Sequence, residues 1–180
     1  MEAVLATQDA PDVARRVGEL QLLVVDLLTC PDPWGALDTS NDSIAHIGDT
    51  VFDANTGQLS ERLDGVLRRT GHRVLVLDRV ELEPAWQGHN VAALLAAEAL
   101  DHLRTGCRVA LCLPGPLDRT GVSAEEYDEA VRRMQGVWKQ VGFRPFDDGV
   151  WLLEPSGGTL DERLASLREQ LGVGHRPDGR

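Results

Sequence analysis

Aromatic residues are few in this chain, 4% of 180 residues, and only one of them is tyrosine. With a formal net charge of −11, that scarcity argues against nucleic acid or an anionic membrane surface as partner. Both are recognised by basic patches, interleaved with stacking aromatics in the case of nucleic acid. A cationic acceptor suits the charge better. No stretch approaches the roughly 20 apolar residues that cross a bilayer as a helix. The first residues also lack the basic-then-apolar order of a secretory signal, so a cytoplasmic protein is expected. The three cysteines, Cys30, Cys107 and Cys112, are odd in number and fit no metal or redox spacing. Cys107 and Cys112 fall in or beside a strand, where small buried thiols pack as hydrophobes. His46 and His102 have no partner at ligand spacing, so no metal is expected. There is no internal repeat and no low-complexity block.

What the chain does contain is apolar side chain, 42% of its residues, enough for one α/β domain with a good core. We divide it into an N-terminal arm (1–18), a main domain (19–155) and a C-terminal helix with its tail (156–180). The arm has little apolar periodicity and reads as a loose segment or a short helix around Pro11 to Val17. Glu19 to Leu28 reads as a strand, and a loop with Pro31, Pro33 and Gly35 follows. Asn41 to Phe52 places Ile44, Ile47, Val51 and Phe52 on one helical face; Leu59, Leu63, Val66 and Leu67 mark another helix, stopped by Gly71. From Arg73 the chain is apolar on both faces as far as Leu77, the pattern of a strand buried within a sheet. Val91, Leu94, Leu95 and Leu103 stripe the next helix, which ends near Gly106. The strand Cys107 to Leu113, a helix from Ser123 to Val141, and a hairpin of Phe143 to Phe146 and Val150 to Leu153 around Asp147-Asp148-Gly149 complete the domain. Beyond the Ser156-Gly157-Gly158 break, Thr159 and Glu162 predict a capping box. The stripe Leu160, Leu164, Leu167 and Leu171 either packs on its own domain or makes a homodimer. Gly172 to Arg180 reads as a frayed tail.

Between the buried strand and the alanine-rich helix lies Glu83-Pro84-Ala85-Trp86-Gln87-Gly88-His89-Asn90-Val91-Ala92, the layout of a strand that delivers a phosphate to a helix N-terminus. Unpaired N–H groups and a partial positive charge at such a terminus favour each well-placed negative charge by about 0.3 to 1 kcal/mol. Gln87, Gly88, His89, Asn90, Val91 and Ala92 resemble the pyrophosphate loop, Gln/Arg-x-x-Gly-x-Gly/Ala, of the GNAT superfamily of acyl-CoA-dependent N-acyltransferases. Asn90 stands where the first motif glycine would be, and asparagine is the side chain that best tolerates a left-handed backbone. A second match, Trp138-Lys139-Gln140-Val141-Gly142-Phe143-Arg144-Pro145, resembles the helix-to-strand segment that ends in Gly-Phe. The resemblance spans Arg73 to Leu153. It implies a GNAT-like mixed, mostly antiparallel sheet flanked by helices, extended here by an extra C-terminal helix. It further implies acetyl-CoA or another short acyl-CoA as cofactor, with Gln87 to Ala92 on the pyrophosphate and the backbone of Leu82 and Glu83 on pantetheine. The acceptor would be an amine, small molecule or peptide, with its specificity set within Trp34 to Gly71. The strands on either side of the helix would splay, helped by Pro114-Gly115-Pro116, for which plain loop punctuation is the alternative. A catalytically silent module of the same fold is the alternative, and Asn90 and Trp138 favour it.

Acyl transfer to an amine needs a proton acceptor, because freeing an alkyl amine of pKa near 10.4 costs roughly 4 to 5 kcal/mol at neutral pH. Asp78, Glu81 and Glu83 are the nearest carboxylates. Asp78 shares the parity of Val76, Val80 and Leu82, so if those line the cofactor side it faces the cleft and Glu81 points away. The plain structural alternative is that Asp78 pairs with Arg79 or another arginine, or caps a neighbour. Where many members of the family have a proton-donating tyrosine, four residues before the glycine of Gly-Phe, this chain has Trp138, and an indole cannot do that job. Tyr127 shares a helical stripe with Val131, Met134, Trp138 and Val141 and reads as core or cleft wall. His89, if protonated, can pair with a phosphate; an exposed loop histidine is the alternative.

Overall fold

The computed structural model describes residues 2–5, 15–115 and 122–173. Six strands form one sheet in the order β1-β2-β3-β4-β6-β5: β1 (Glu2–Leu5), β2 (Arg15–Asp26), β3 (Arg73–Leu82), β4 (Cys107–Cys112), β5 (Arg144–Asp147) and β6 (Val150–Leu153). β3 and β4 are parallel, and every other neighbouring pair is antiparallel. A parallel pair needs a crossover, which helix α4 (Val91–Leu103) supplies. The protein is thus an α/β domain with a mixed, mostly antiparallel sheet and flanking helices.

Side chains alternate along each strand, so the sheet carries two cores. Leu20, Leu75, Leu77, Cys112 and Trp151 pack beneath α4, α5 (Ala124–Val141) and α6 (Gly158–Gln170). Val25, Val74, Val76, Leu111 and Leu152 pack on the other face, beneath α1 (Pro33–Asp38), α2 (Asp42–Val51) and α3 (Glu61–Asp64).

The N-terminal segment is strand where it is described; Pro11 to Ala14, most of the expected short helix, lie outside the described residues, and Arg15 to Val17 belong to β2. Glu2–Leu5 pairs with Arg15–Glu19, so backbone bonding orders residues whose side chains show no period. The proline-containing stretch after β2 forms helix α1, because Asp32 accepts from the Gly35 N–H at 2.9 Å and Pro33 takes the first-turn position where a missing N–H costs nothing. The third helix has only four residues, ending at Gly65, and leaves Val66 exposed. At the hairpin tip Asp148 and Gly149 both have positive φ, 43° and 80°, as a two-residue turn requires. The capping box forms at Ser123 and Glu126 but not at Thr159 and Glu162. There the helix begins at Gly158 with Gly157 as its cap, so Thr159 is already inside the first turn. Leu160, Leu164 and Leu167 are buried against α4 and α5, and Arg168 grips Glu98 of α4 through two bonds of 2.7 and 2.8 Å. The leucine stripe therefore packs on its own domain. Most of the tail, 174–180, lies outside the described residues.

Candidate functional site

The β3–α4 connection makes a short 3₁₀ turn, Pro84–Trp86, and then two left-handed residues, Gly88 at φ 79° and Asn90 at φ 60°, before α4 starts at Val91. Asparagine holds the left-handed geometry that the loop demands. Its side chain does not cap the helix; Asn90 Nδ2 donates instead to Gln170 Oε1 at 3.3 Å, at the end of α6. Consequently the amides from Gly88 to Ala93 donate to no group among the described residues, and the first bonded one is Leu94 N–H to the Asn90 carbonyl at 3.1 Å. A Cβ built on Gly88 would meet nothing within 4 Å, so that side of the loop is open. His89 is exposed beside it and has no partner among the described residues.

Next to this loop the parallel ladder stops. It runs from Arg73 opposite Cys107 to Leu77 opposite Cys112, whereas β3 continues to Leu82 with β2 alone. Among the described residues nothing pairs with the β4-side edge of Asp78 to Leu82. Pro114 and Gly115 follow β4; Pro116 lies outside the described residues. The backbone groups expected to meet pantetheine are partly engaged. The Leu82 carbonyl accepts from Gln87 Nε2 at 3.0 Å, and the Glu83 N–H donates to the Val17 carbonyl at 2.9 Å.

Asp78 does not share one face with Val76 and Val80, contrary to the parity of the sequence. Gln21 pairs with Arg79 and Leu22 with Leu77, which makes Asp78 the extra residue of a β-bulge. The bulge resets the alternation: Val76 belongs to the core under α2, while Val80 packs with the core under α4. Val76 and Val80 are thus on opposite faces. Asp78 is half-buried on the α2 side, where Asn41 Nδ2 lies 3.3 and 3.4 Å from its two oxygens. The same Asn41 caps α2 by accepting from the Ile44 N–H at 3.0 Å, so Asp78 is aimed by a residue that is itself fixed. Asp78 does not pair with Arg79. That arginine donates to Glu81 at 3.1 Å, easing the repulsion between Glu81 and Glu19, which stand opposite one another on β3 and β2.

Trp138 is 6% exposed and meets Phe143 edge-on, with ring centroids 6.2 Å apart, deep in the core. The tyrosine three helical turns earlier is placed differently. A Cβ on Gly115 would lie 3.2 Å from the Tyr127 hydroxyl, which puts that hydroxyl at the exit of β4. Tyr127 is half-buried there. Burial pushes the Cys107 thiol up to about 12 and the Cys112 thiol well above its usual range. His46 Nε2 approaches the Asp148 carbonyl at 2.8 Å and ties α2 to the hairpin tip. Among the described residues no three His, Cys, Asp or Glu side chains cluster as metal ligands, and no helix is long and apolar enough to cross a membrane.

No protein-family model matches this chain, and no curated protein matches it. The features that bear on its chemistry are the β3–α4 loop, the parting of β3 and β4, and the bulge at Asp78.

Proposed function

We propose that the protein is a cytoplasmic acyl-CoA-dependent N-acyltransferase that moves an acetyl or other short acyl group to an amine, small molecule or peptide. The observation that carries this reading is a coincidence of place. The parallel strands part after Leu77 and Cys112, at the point where the following loop leaves the amides of Gly88 to Ala93 without acceptors among the described residues. The GNAT-like segments Gln87 to Ala92 and Trp138 to Pro145 support it. The open side of Gly88 is the feature a pyrophosphate needs in order to approach the backbone.

In this reading Gln87, Gly88, His89, Asn90, Val91 and Ala92 hold the pyrophosphate, and the unpaired edge of β3 at Leu82 and Glu83 faces pantetheine once Gln87 releases the Leu82 carbonyl. The cofactor supplies an acyl group activated as a thioester. Asp78, held by Asn41, takes a proton from the ammonium of the acceptor on the α2 side and leaves the neutral amine as the nucleophile, and Tyr127 Oη holds a proton at the exit of β4. Trp138 packs and does not react. The charge of −11 draws cationic acceptors towards the protein.

Calorimetric titration with acetyl-CoA, followed by thiol release with a panel of amines, tests the proposal. Weak binding by wild type is expected, with Asn90→Gly about fivefold tighter, because freeing the left-handed position of a side chain is worth on the order of 1 kcal/mol. Asp78→Asn is expected to lower turnover at neutral pH and to recover as pH rises. No binding by either wild type or Asn90→Gly defeats the cofactor reading. Binding without thiol release from any amine establishes the silent module, which the engaged Leu82 carbonyl favours.

A further inference from the structure

A cavity of about 590 Å³ opens between α3 and the end of the sheet where β3 and β4 begin. β3 has 10 residues, each rising about 3.3 Å, so this end stands about 30 Å from the loop that follows Leu82. The cavity is therefore no part of the cleft described above, although much of its lining comes from the segment 34–71. Its volume falls within the roughly 300 to 1,000 Å³ usual for small-ligand sites.

The lining combines an apolar wall with an unbalanced polar end. Leu27, Pro31, Pro33 and Leu59 form the wall. Arg108 reaches the polar end through a bulge: Arg73 pairs with Cys107 and Val74 with Val109, leaving Arg108 as the extra residue of β4. Bulges re-aim side chains in this way and recur beside binding sites. The guanidinium bonds to Asp64 of α3 through Nη2, and its buried Nε has no partner among the described residues. Glu61, one turn before Asp64, also lines the cavity, and its carboxylate makes no bond among the described residues. Arg108 offsets only one of the two carboxylates, so a negative charge remains, and it resides on the group without a partner.

We infer that this cavity binds a small organic ammonium, its cationic head on Glu61 and its short apolar body along Leu27, Pro31, Pro33 and Leu59. The inference does not rest on acyl transfer and holds whether or not the cleft is catalytic. Hexylammonium, hexanol and hexanoate are the probes, each titrated into the full-length protein and followed by amide chemical shifts. The expected result is saturable binding of hexylammonium, with shifts confined to 27–33, 56–64 and Arg108. Hexanol should bind more weakly, and hexanoate not at all. Glu61→Gln, which keeps the shape of the side chain, should weaken hexylammonium at least fivefold, and Gln58→Trp at the rim should block it. Equal affinity for hexylammonium and hexanol, unchanged affinity in Glu61→Gln, or shifts centred on Asp78 or on 87–93 would each overturn the inference.

Discussion

Replacing Trp138 by alanine tests the core that seats the proposed cleft. The indole is 6% exposed and its edge contact with Phe143 links the end of α5 to the start of the hairpin. Truncating a buried tryptophan costs about 3 to 5 kcal/mol, which includes about 0.5 to 1.5 kcal/mol from the aromatic pair. A domain of this size unfolds with about 5 to 15 kcal/mol in total, so the loss is a large fraction of its stability. At about 2 to 4 °C per kcal/mol, Tm should fall by roughly 6 to 20 °C. Phenylalanine keeps a ring in place and leaves a void of about 40 Å³, so its cost should be near 1 kcal/mol. Urea unfolding followed by far-UV circular dichroism measures both. A loss below 1 kcal/mol for Trp138→Ala would show that the ring does not anchor this core. Equal losses for alanine and phenylalanine would show that the indole N–H, and not its packing, matters. If acyl transfer is detected, Trp138→Phe should retain most of it.

Deleting 159–180 removes α6 and uncovers apolar surface on α4, so the shortened protein should melt lower or aggregate; an unchanged Tm together with a switch from dimer to monomer would mean that α6 serves association. At pH 8 a thiol reagent should label Cys30 first and reach Cys107 and Cys112 only in denaturant, since burial raises both thiols; rapid labelling of all three would contradict their burial. Acid should weaken the fold. Asp26 is held below its ordinary 3.8 first by the Leu28 N–H, Asp53 by the Thr56 N–H, and Glu126 below 4.5 by the Ser123 hydroxyl. Each lowered value contributes stability that is complete above the unfolded value and disappears as pH falls through the folded one. The urea midpoint should hold from pH 7 to about 5 and drop below about 4.5, and a flat profile down to pH 3 would refute the assignment.

Much of the fold was legible because it is local. A run apolar on both faces marks β3, alternation marks β4, a stripe of period 3.6 marks α2, α4 and α5, and Asp148-Gly149 marks the hairpin. What was missed depends on partners distant in sequence. β1 forms on β2 without an apolar period of its own, and the capping box at Thr159 loses to a helix that starts two residues earlier. The candidate loop was legible from Gln87 to Ala92, including the left-handed backbone at Asn90.

By itself the sequence determined β2, the elements from α2 to the hairpin, the loop between β3 and α4, and the net charge of −11, since each follows from residue type and near-neighbour spacing. Only the tertiary structure decided which way Asp78 and Arg108 point. Each is the extra residue of a bulge, and a bulge exists only when two strands are paired in register, so no pattern within one strand could reveal it. The same holds for Asn41 on Asp78, 37 residues apart, for Tyr127 beside Gly115, and for the cavity that the segment 34–71 forms far from the loop.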